Sequence, residues 1–298
     1  MAKGVREYKR RIRSVNNTKQ ITKAMKMVAA AKLRRAQDRA ETSRPYTDKL
    51  ADILARVASM SGQTENPFLN EHKYTKKVVY VVVSADRGLC GAYNTNIIKM
   101  ATNTINSDSR EVEAGVVTVG RKARDFFRKR GYKVEGEFVN IPDNVSYAQA
   151  KEMANYIMKM YEEEAADEVY LIYAKFINAL RQEPKVEKVL PIEPPEEQQT
   201  AAAQMAEYIP TYIFEPAEPV LLDLLIPRYV ESLVYRALLE SKASFLGAQM
   251  TAMSNATENA SELVSNLELE MNKARQSAIT TELLEIVAGA EALKKGGK

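Results

Sequence analysis

From Ala243 to Ala278, small and apolar residues recur at steps of three and four without a gap: Ala243, Leu246, Met250, Met253, Thr257, Ala260, Val264, Leu267, Met271, Ala274 and Ala278. A helix lines such residues up on one stripe, and a stripe that keeps the seven-residue period this long is the seam of a coiled coil. The pattern reads as helix from about Glu218 to about Leu293, with Pro227 near its start and no proline after it. Roughly 75 residues at about 1.5 Å each make a rod of about 110 Å. Helices of that length are rare inside globular domains. The seam is rich in Ala, Thr and Met rather than Leu and Ile, so this rod needs a close partner and further cover.

The other end of the chain supplies the partner. Residues 3 to about 60 read as a second long helix, opened by Val5, Tyr8, Ile12 and Val15. The apolar stripe thins around Asn16 to Lys19 and resumes in another phase with Ile21, Met25 and Val28, as a stutter would. Ala24, Ala29, Ala30, Ala31, Ala36 and Ala40 give a small-residue surface. Pro45 predicts a kink or a short break. Leu50, Ile53, Leu54 and Val57 continue the pattern until "SGQTENPF" ends it. Two helices that flank one domain, one leaving it and one entering, run antiparallel when paired.

Residues 75–215 change period. "KKVVYVVVS", "EAGVVTVG" and "DEVYLIYAKF" are β-branched runs of the kind buried on both faces of a sheet. Helical patterns lie between them, in "NTNIIKMATNTIN", "RKARDFFRKRG" and "SYAQAKEMANYIMKMYEEE". Alternation of this kind predicts a parallel, wound α/β domain. "PKVEKVLPI" and "PTYIFEP" read as further strands, and "EPPEEQQTAAAQMAE" between them as a mobile loop. The expected class is therefore α/β: a long antiparallel coiled coil of terminal helices 1–60 and 218–294, with a central Rossmann-like domain at 75–215.

Composition removes several functions. One cysteine, Cys90, excludes an intramolecular disulfide, and one histidine, His72, leaves little for a zinc site or a Ser-His-Asp triad. No run of 18 apolar residues spans a membrane. The basic start "MAKGVREYKRRIRSV" lacks the apolar core of a signal peptide and reads as mature structure. The net charge of +4 is unevenly spread: residues 1–45 hold 14 Lys/Arg against Glu7, Asp38 and Glu41, or +11, which leaves −7 for the rest. A basic helix fits either a solvated face or an acidic partner such as a protein surface, a nucleic acid or an anionic lipid.

Few residues carry chemistry. In "SADRGLCGAYN", Gly88 and Gly91 follow a buried strand, but the spacing is neither G-x-G-x-x-G nor G-x-x-x-x-G-K-[ST]. The glycines suit a tight turn in a loop that touches a partner. Cys90 has no histidine or second cysteine to activate it. Glu282 and Glu285 lie on neighbouring turns of the last helix, on a solvated face or at a specific contact. No nucleophile–base pair or ligand cluster stands out, so the residues describe an interaction or mechanical part, with no cofactor.

"IRSVNNTKQITKAMKMVAAAKLRRAQ", "SADRGLCGAYN" and "ITTELLEIVAGAEA", in that order, closely resemble segments of the gamma subunit of F-type ATP synthase, bacterial type. The resemblance covers essentially the whole chain. It implies a non-catalytic rotor: an antiparallel coiled coil inside a ring of three alpha and three beta subunits, with a Rossmann-like foot on the epsilon subunit and the membrane c ring. Proton flow would turn the ring and the shaft, driving ATP synthesis, with hydrolysis driving the reverse. Residue by residue, Met25 and Lys26 match the contact with the moving arm of beta. Arg275, Gln276, Thr280 and Glu282 match the region that meets the beta catch loop. Arg87 and Cys90 match a loop near beta's lower face, and Tyr212, Phe214 and Glu215 match the contact with epsilon or the c ring. The small tip Ile286, Val287, Ala288 and Ala290 suits a bearing, and the flank Lys19, Lys23, Lys26, Arg34 and Arg35 suits acidic segments of beta. Gln249 stands where some relatives carry arginine, and Cys90 alone cannot form the regulatory dithiol of the chloroplast type. The implied location is the cytoplasmic face of a bacterial plasma membrane, peripheral and held through the complex. The competing expectation is a basic coiled-coil arm that binds nucleic acid. It is disfavoured because Tyr8 alone interleaves the first basic cluster.

Overall fold

The computed structural model describes residues 3–60, 66–70, 72, 74–192 and 218–296. Contacts divide the chain into two units, Met1–Val28 with Met250–Lys298, and Ala29–Gln249. Helix α1 (Lys3–Met60) and helix α5 (Glu218–Gly296) contribute to both.

The larger unit is an α/β domain with the inner stretches of both helices packed into its core. Its elements are β1 (Lys77–Val83), α2 (Tyr93–Ser107), β2 (Glu113–Val119), α3 (Arg121–Lys129), β3 (Lys133–Phe138), α4 (Tyr147–Glu162), β4 (Glu168–Phe176) and β5 (Gln182–Leu190). The sheet order is β3-β2-β1-β4-β5. β1 pairs in parallel with β2 and β4, and β2 with β3, whereas β5 runs antiparallel to β4. The valine run of β1 is central and buried on both faces, as its lack of alternation requires. Ser146 opens α4 with a reciprocal capping box to Gln149. Tyr161, Tyr173, Phe127 and Ile97 are wholly buried. Leu54 and Val57 of α1 and Ile226, Val230 and Val234 of α5 join the core on this sheet.

The expected parallel sheet holds for β1 to β4, and β5 adds an antiparallel edge strand reached through the short turn after Phe176. β3 was not expected from the sequence at all. Pro45 does not break α1, which runs on through it. Proline removes one backbone donor, and burial of Ala40, Leu50 and Leu54 on either side holds the helix. "PTYIFEP" and the polar segment before it lie outside the described residues.

The smaller unit is an antiparallel helix pair. As α1 advances from Thr22 to Lys26, its partners on α5 step back from Thr257 to Ser254. On α5, Met253, Ala260, Val264 and Leu267 are buried and Thr257, Met271, Ala274 and Ala278 half-buried, so the seam lies where the periodicity put it. On α1 the expected change of phase does not occur. Val5, Tyr8, Ile12, Val15, Lys19 and Thr22 are buried or half-buried at unbroken steps of three and four, while Ile21 and Val28 are exposed. The seam passes through a threonine because the Thr22 and Thr257 hydroxyls hydrogen-bond at 2.8 Å, which satisfies a polar pair inside it.

Candidate partner-binding interface

The helix pair carries six of the residues marked by the sequence. Met25 is half-buried, and Lys26 Nζ donates to Ser254 Oγ at 3.0 Å across the pair. About 20 residues further along the pair, a separation of about 30 Å, Arg275 and Glu282 line a cleft of about 180 Å³ with Val5, Lys9, Met271, Ala278 and Ile279. Gln276 and Thr280 are exposed beside it, and the Thr280 hydroxyl donates to the Gln276 carbonyl at 3.0 Å. The structure therefore separates the Met25–Lys26 group from the Arg275–Glu282 group. Beyond the cleft, Leu283, Leu284, Ile286 and Val287 are all exposed.

Sequence reasoning missed one surface. It placed Ile21 and Val28 in the seam, yet Ile21, Met27 and Val28 are each more than half exposed, at 60, 59 and 54%. Apolar side chains turned out of a seam mark a second surface that requires cover. The signal was present: Thr22, one residue after Ile21, continues the spacing of Val15 and Lys19.

The larger unit holds Arg87 and Cys90 in the loop from Ser84 to Asn94. At the carboxyl end of β1 the Ser84 hydroxyl donates to the Val119 carbonyl at 3.0 Å and accepts from the Ala123 N–H at 2.9 Å. This crevice, at the carboxyl ends of parallel strands, is where open α/β sheets take their ligands. Here Asp86 fills it. Its carboxylate accepts backbone N–H groups of Arg121 and Asn140 at 3.1 Å and of Ile141 at 3.0 Å. Gly120 has φ of +89°, and a Cβ there would lie 2.4 Å from the Ser84 carbonyl oxygen, so only glycine permits this approach. Asn94 ties the loop from the other side, accepting from the Ala85 N–H and donating to the Arg87 carbonyl and Cys90 Sγ. Arg87 is exposed and Cys90 is buried, and burial pushes its thiol pKa up. Of the two, Arg87 faces solvent and Cys90 does not. Tyr212, Phe214 and Glu215 lie outside the described residues.

Polar ties join this domain to both helices within the larger unit. The Arg44 guanidinium bridges Glu240 and the Phe176 carbonyl. Asp143, on the loop before α4, accepts from Lys32 of α1 at 2.5 Å and Lys242 of α5 at 2.7 Å, and Arg39 bonds Asn144 beside it. Lys242 and Lys32 together hold the Asp143 carboxyl down to about 2, against an ordinary 3.8. A carboxyl depressed by folding stabilises the fold above its unfolded pKa, and the gain is lost as pH falls through the folded one. Asp143→Asn is therefore expected to flatten the melting temperature between about pH 4 and pH 2. Its cost at neutral pH should be no more than about 1 kcal/mol, since the carboxylate is 56% exposed. Acid titration of the melting temperature of both chains checks this, and equal slopes would refute it.

Among the described residues, no group of three or more His, Cys, Asp or Glu side chains could hold a metal ion. None of their helices is long and apolar enough to cross a membrane.

The chain is similar to known proteins over nearly its full length. A family model described as ATP synthase matches residues 4–293. The ATP synthase gamma chain of Pelotomaculum thermopropionicum is 47% identical over 290 residues, 97% of this chain and 99% of that one. The chain belongs to the ATP synthase gamma-chain family. The gamma chain of Moorella thermoacetica is 48% identical over 97% of this chain and 99% of its own. Among solved structures, a central-stalk and c-ring chain of the Tetrahymena thermophila mitochondrial ATP synthase matches with a TM-score of 0.59 and 28% identity, covering 79% of this chain and 99% of that one. A chain of the Euglena gracilis mitochondrial ATP synthase matches 99% of this chain and 96% of its own with a TM-score of 0.68 at 20% identity, a likeness of fold. The gamma-chain resemblance read from three segments and the α/β fold with long terminal helices are both borne out.

Proposed function

We infer that this chain is the non-catalytic central-stalk rotor of a proton-translocating F-type ATP synthase at the cytoplasmic face of a bacterial plasma membrane. The observation that carries this reading is the antiparallel pairing of two chain ends, Thr22 with Thr257 and Lys26 with Ser254, in a pair that leaves large apolar side chains outside its seam. Such a pair is built to be enclosed. A ring of three alpha and three beta subunits covers Ile21, Met27 and Val28 and the exposed stretch from Leu283 to Val287. Segments 1–60 and 218–294 act as the shaft, and 75–215 as the foot on epsilon and the c ring, with Tyr212, Phe214 and Glu215 at that contact.

The mechanism follows from differential contact. A rotor that touches three like beta subunits through one asymmetric surface favours a different beta conformation at each, and turning it shifts their populations. Apolar contacts at the end of α5 slide without breaking directional bonds. Lys23, Arg34 and Arg35 push electrostatically on acidic segments of beta, while Met25, Lys26, Arg87, Arg275, Gln276, Thr280 and Glu282 supply local contacts. Proton flow through the c ring drives this cycle toward ATP synthesis, and hydrolysis drives it backwards.

The test is assembly. Mixed with alpha and beta subunits, the chain is expected to form a stable complex that hydrolyses ATP. A chain that stays monomeric and leaves their activity unchanged would overturn the reading.

A further inference from the structure

Three charged joints inside the larger unit each bring together α1, α5 and the α/β domain. In the first, Asp143 before α4 takes Lys32 of α1 and Lys242 of α5. In the second, the backbone groups of Phe176, at the end of β4, are divided between the helices. Arg44 of α1 donates to the Phe176 carbonyl, Glu240 of α5 accepts its N–H, and the two side chains pair at 3.0 Å. In the third, the Arg236 guanidinium of α5 donates to Asp48 of α1 at 3.2 Å and to Glu187 of β5 at 2.9 Å. The Tyr173 hydroxyl and Lys185 hold the other Glu187 oxygen at 2.8 and 3.1 Å.

Stability alone does not account for these joints. Apolar side chains such as Leu54, Ile226 and Val230 already seat both helices in the core. A buried ion pair adds little net stability over an apolar pair of similar volume, because both charges lose water. The Glu240 side chain is 3% exposed and that of Arg236 14%, so two of the joints carry that cost. What a charge-assisted pair supplies is direction, since it fixes distance and angle where apolar burial does not. The joints are also spread out. They meet α1 at Lys32, Arg44 and Asp48, over about 24 Å of helix. They reach the domain at the segment before α4, the end of β4 and the middle of β5. Directional bonds placed so far apart resist twisting of the helices against the sheet.

We propose that these joints form a collar that makes α1, α5 and the sheet turn as one body, with Asp143, Arg44, Glu240 and Arg236 as positioning residues for the transmission of torque. This rests on the rotor reading and names the parts within the chain that carry the load.

The test uses the chain assembled with alpha and beta subunits, with one dye fixed rigidly to α2 and another to α5. Polarised fluorescence of single complexes, without nucleotide, reads the angle between them. If three joints share the load equally, loss of one removes a third of the stiffness, and the mean-square angular excursion grows about 1.5-fold. Arg44→Met with Glu240→Leu shows this growth while melting near the parent, because both charges leave together and burial is kept. Asp143→Asn widens the excursion at low ionic strength, and added salt widens the parent's toward it, since that joint is exposed. An excursion equal to the parent's in the double variant overturns the inference and leaves the rotor reading intact. A double variant that melts far below the parent makes the joint a prop of the fold and also overturns the inference. Failure of the unaltered chain to enter the ring overturns the rotor reading, and this inference with it.

Discussion

Arg44→Met is expected to lower the unfolding free energy by about 3 kcal/mol, the low end of the range for breaking a buried ion pair because Arg44 is partly exposed. Arg44 Nε donates to Glu240 Oε1 at 3.0 Å and Nη2 donates to the Phe176 carbonyl at 2.9 Å. The other Glu240 oxygen accepts the Phe176 N–H at 3.3 Å. The Glu240 side chain is only 3% exposed, against 36% for Arg44, so once the arginine is gone water cannot replace it. The Phe176 N–H is then its one remaining direct hydrogen bond, with the Arg236 charge nearby in partial compensation. The second arm of the experiment separates mechanism from size. Arg44→Met with Glu240→Leu removes both charges and should recover most of the loss. Urea unfolding of the purified chains measures both. A single-variant loss under about 1 kcal/mol, or no recovery in the double variant, would refute the argument.

Leu267→Asp is expected to open the helix pair of the smaller unit at a cost of about 3 kcal/mol or more. Leu267 is 8% exposed in the seam, so the substitution loses apolar burial and adds a carboxylate that must be desolvated. Two residues on, Leu269 is 61% exposed, and Leu269→Asp adds the same charge outside the seam at little cost. The pair is two helices thick, so the damage should be local. Amide exchange should rise in residues 250–296 and along the facing part of α1, while β1 and β4 stay protected. Equal behaviour of the two variants would mean that the seam has been drawn on the wrong face.

Period is what made most of the fold legible. The heptads of α5, the valine runs of β1 and β2 and the apolar run of β4 each repeat one physical instruction many times, so a single misread residue changes nothing. β3 escaped because it is a half-buried edge strand of six residues, and three of its positions, Lys133, Glu135 and Glu137, are charged. Its alternation with Val134, Gly136 and Phe138 was the available signal. The direction of β5 is set by the short turn before it, which hydrophobic pattern does not record. On α1, the error about phase came from equating apolar with buried, when Ile21 faces out and Thr22 faces in with its hydroxyl paired.

The candidate contacts divide along similar lines. Side chains on the helices could be placed on a face from spacing. The loop around Cys90 could not, since which of two adjacent residues is buried depends on a backbone turned left-handed at Leu89 and on anchors drawn from two distant segments. The Arg44–Glu240 pair joins residues 196 positions apart, and no local rule brings them together.

The Asp86 carboxylate has a consequence of its own. A ligand supplied by the chain stays at its seat at an effective concentration that a dilute free anion must exceed to displace it. Rising or falling levels of nucleotide or phosphate in the surroundings should therefore leave this domain's shape unaltered. In the rotor inferred above, that gives the turning part a geometry insulated from the fuel gauge.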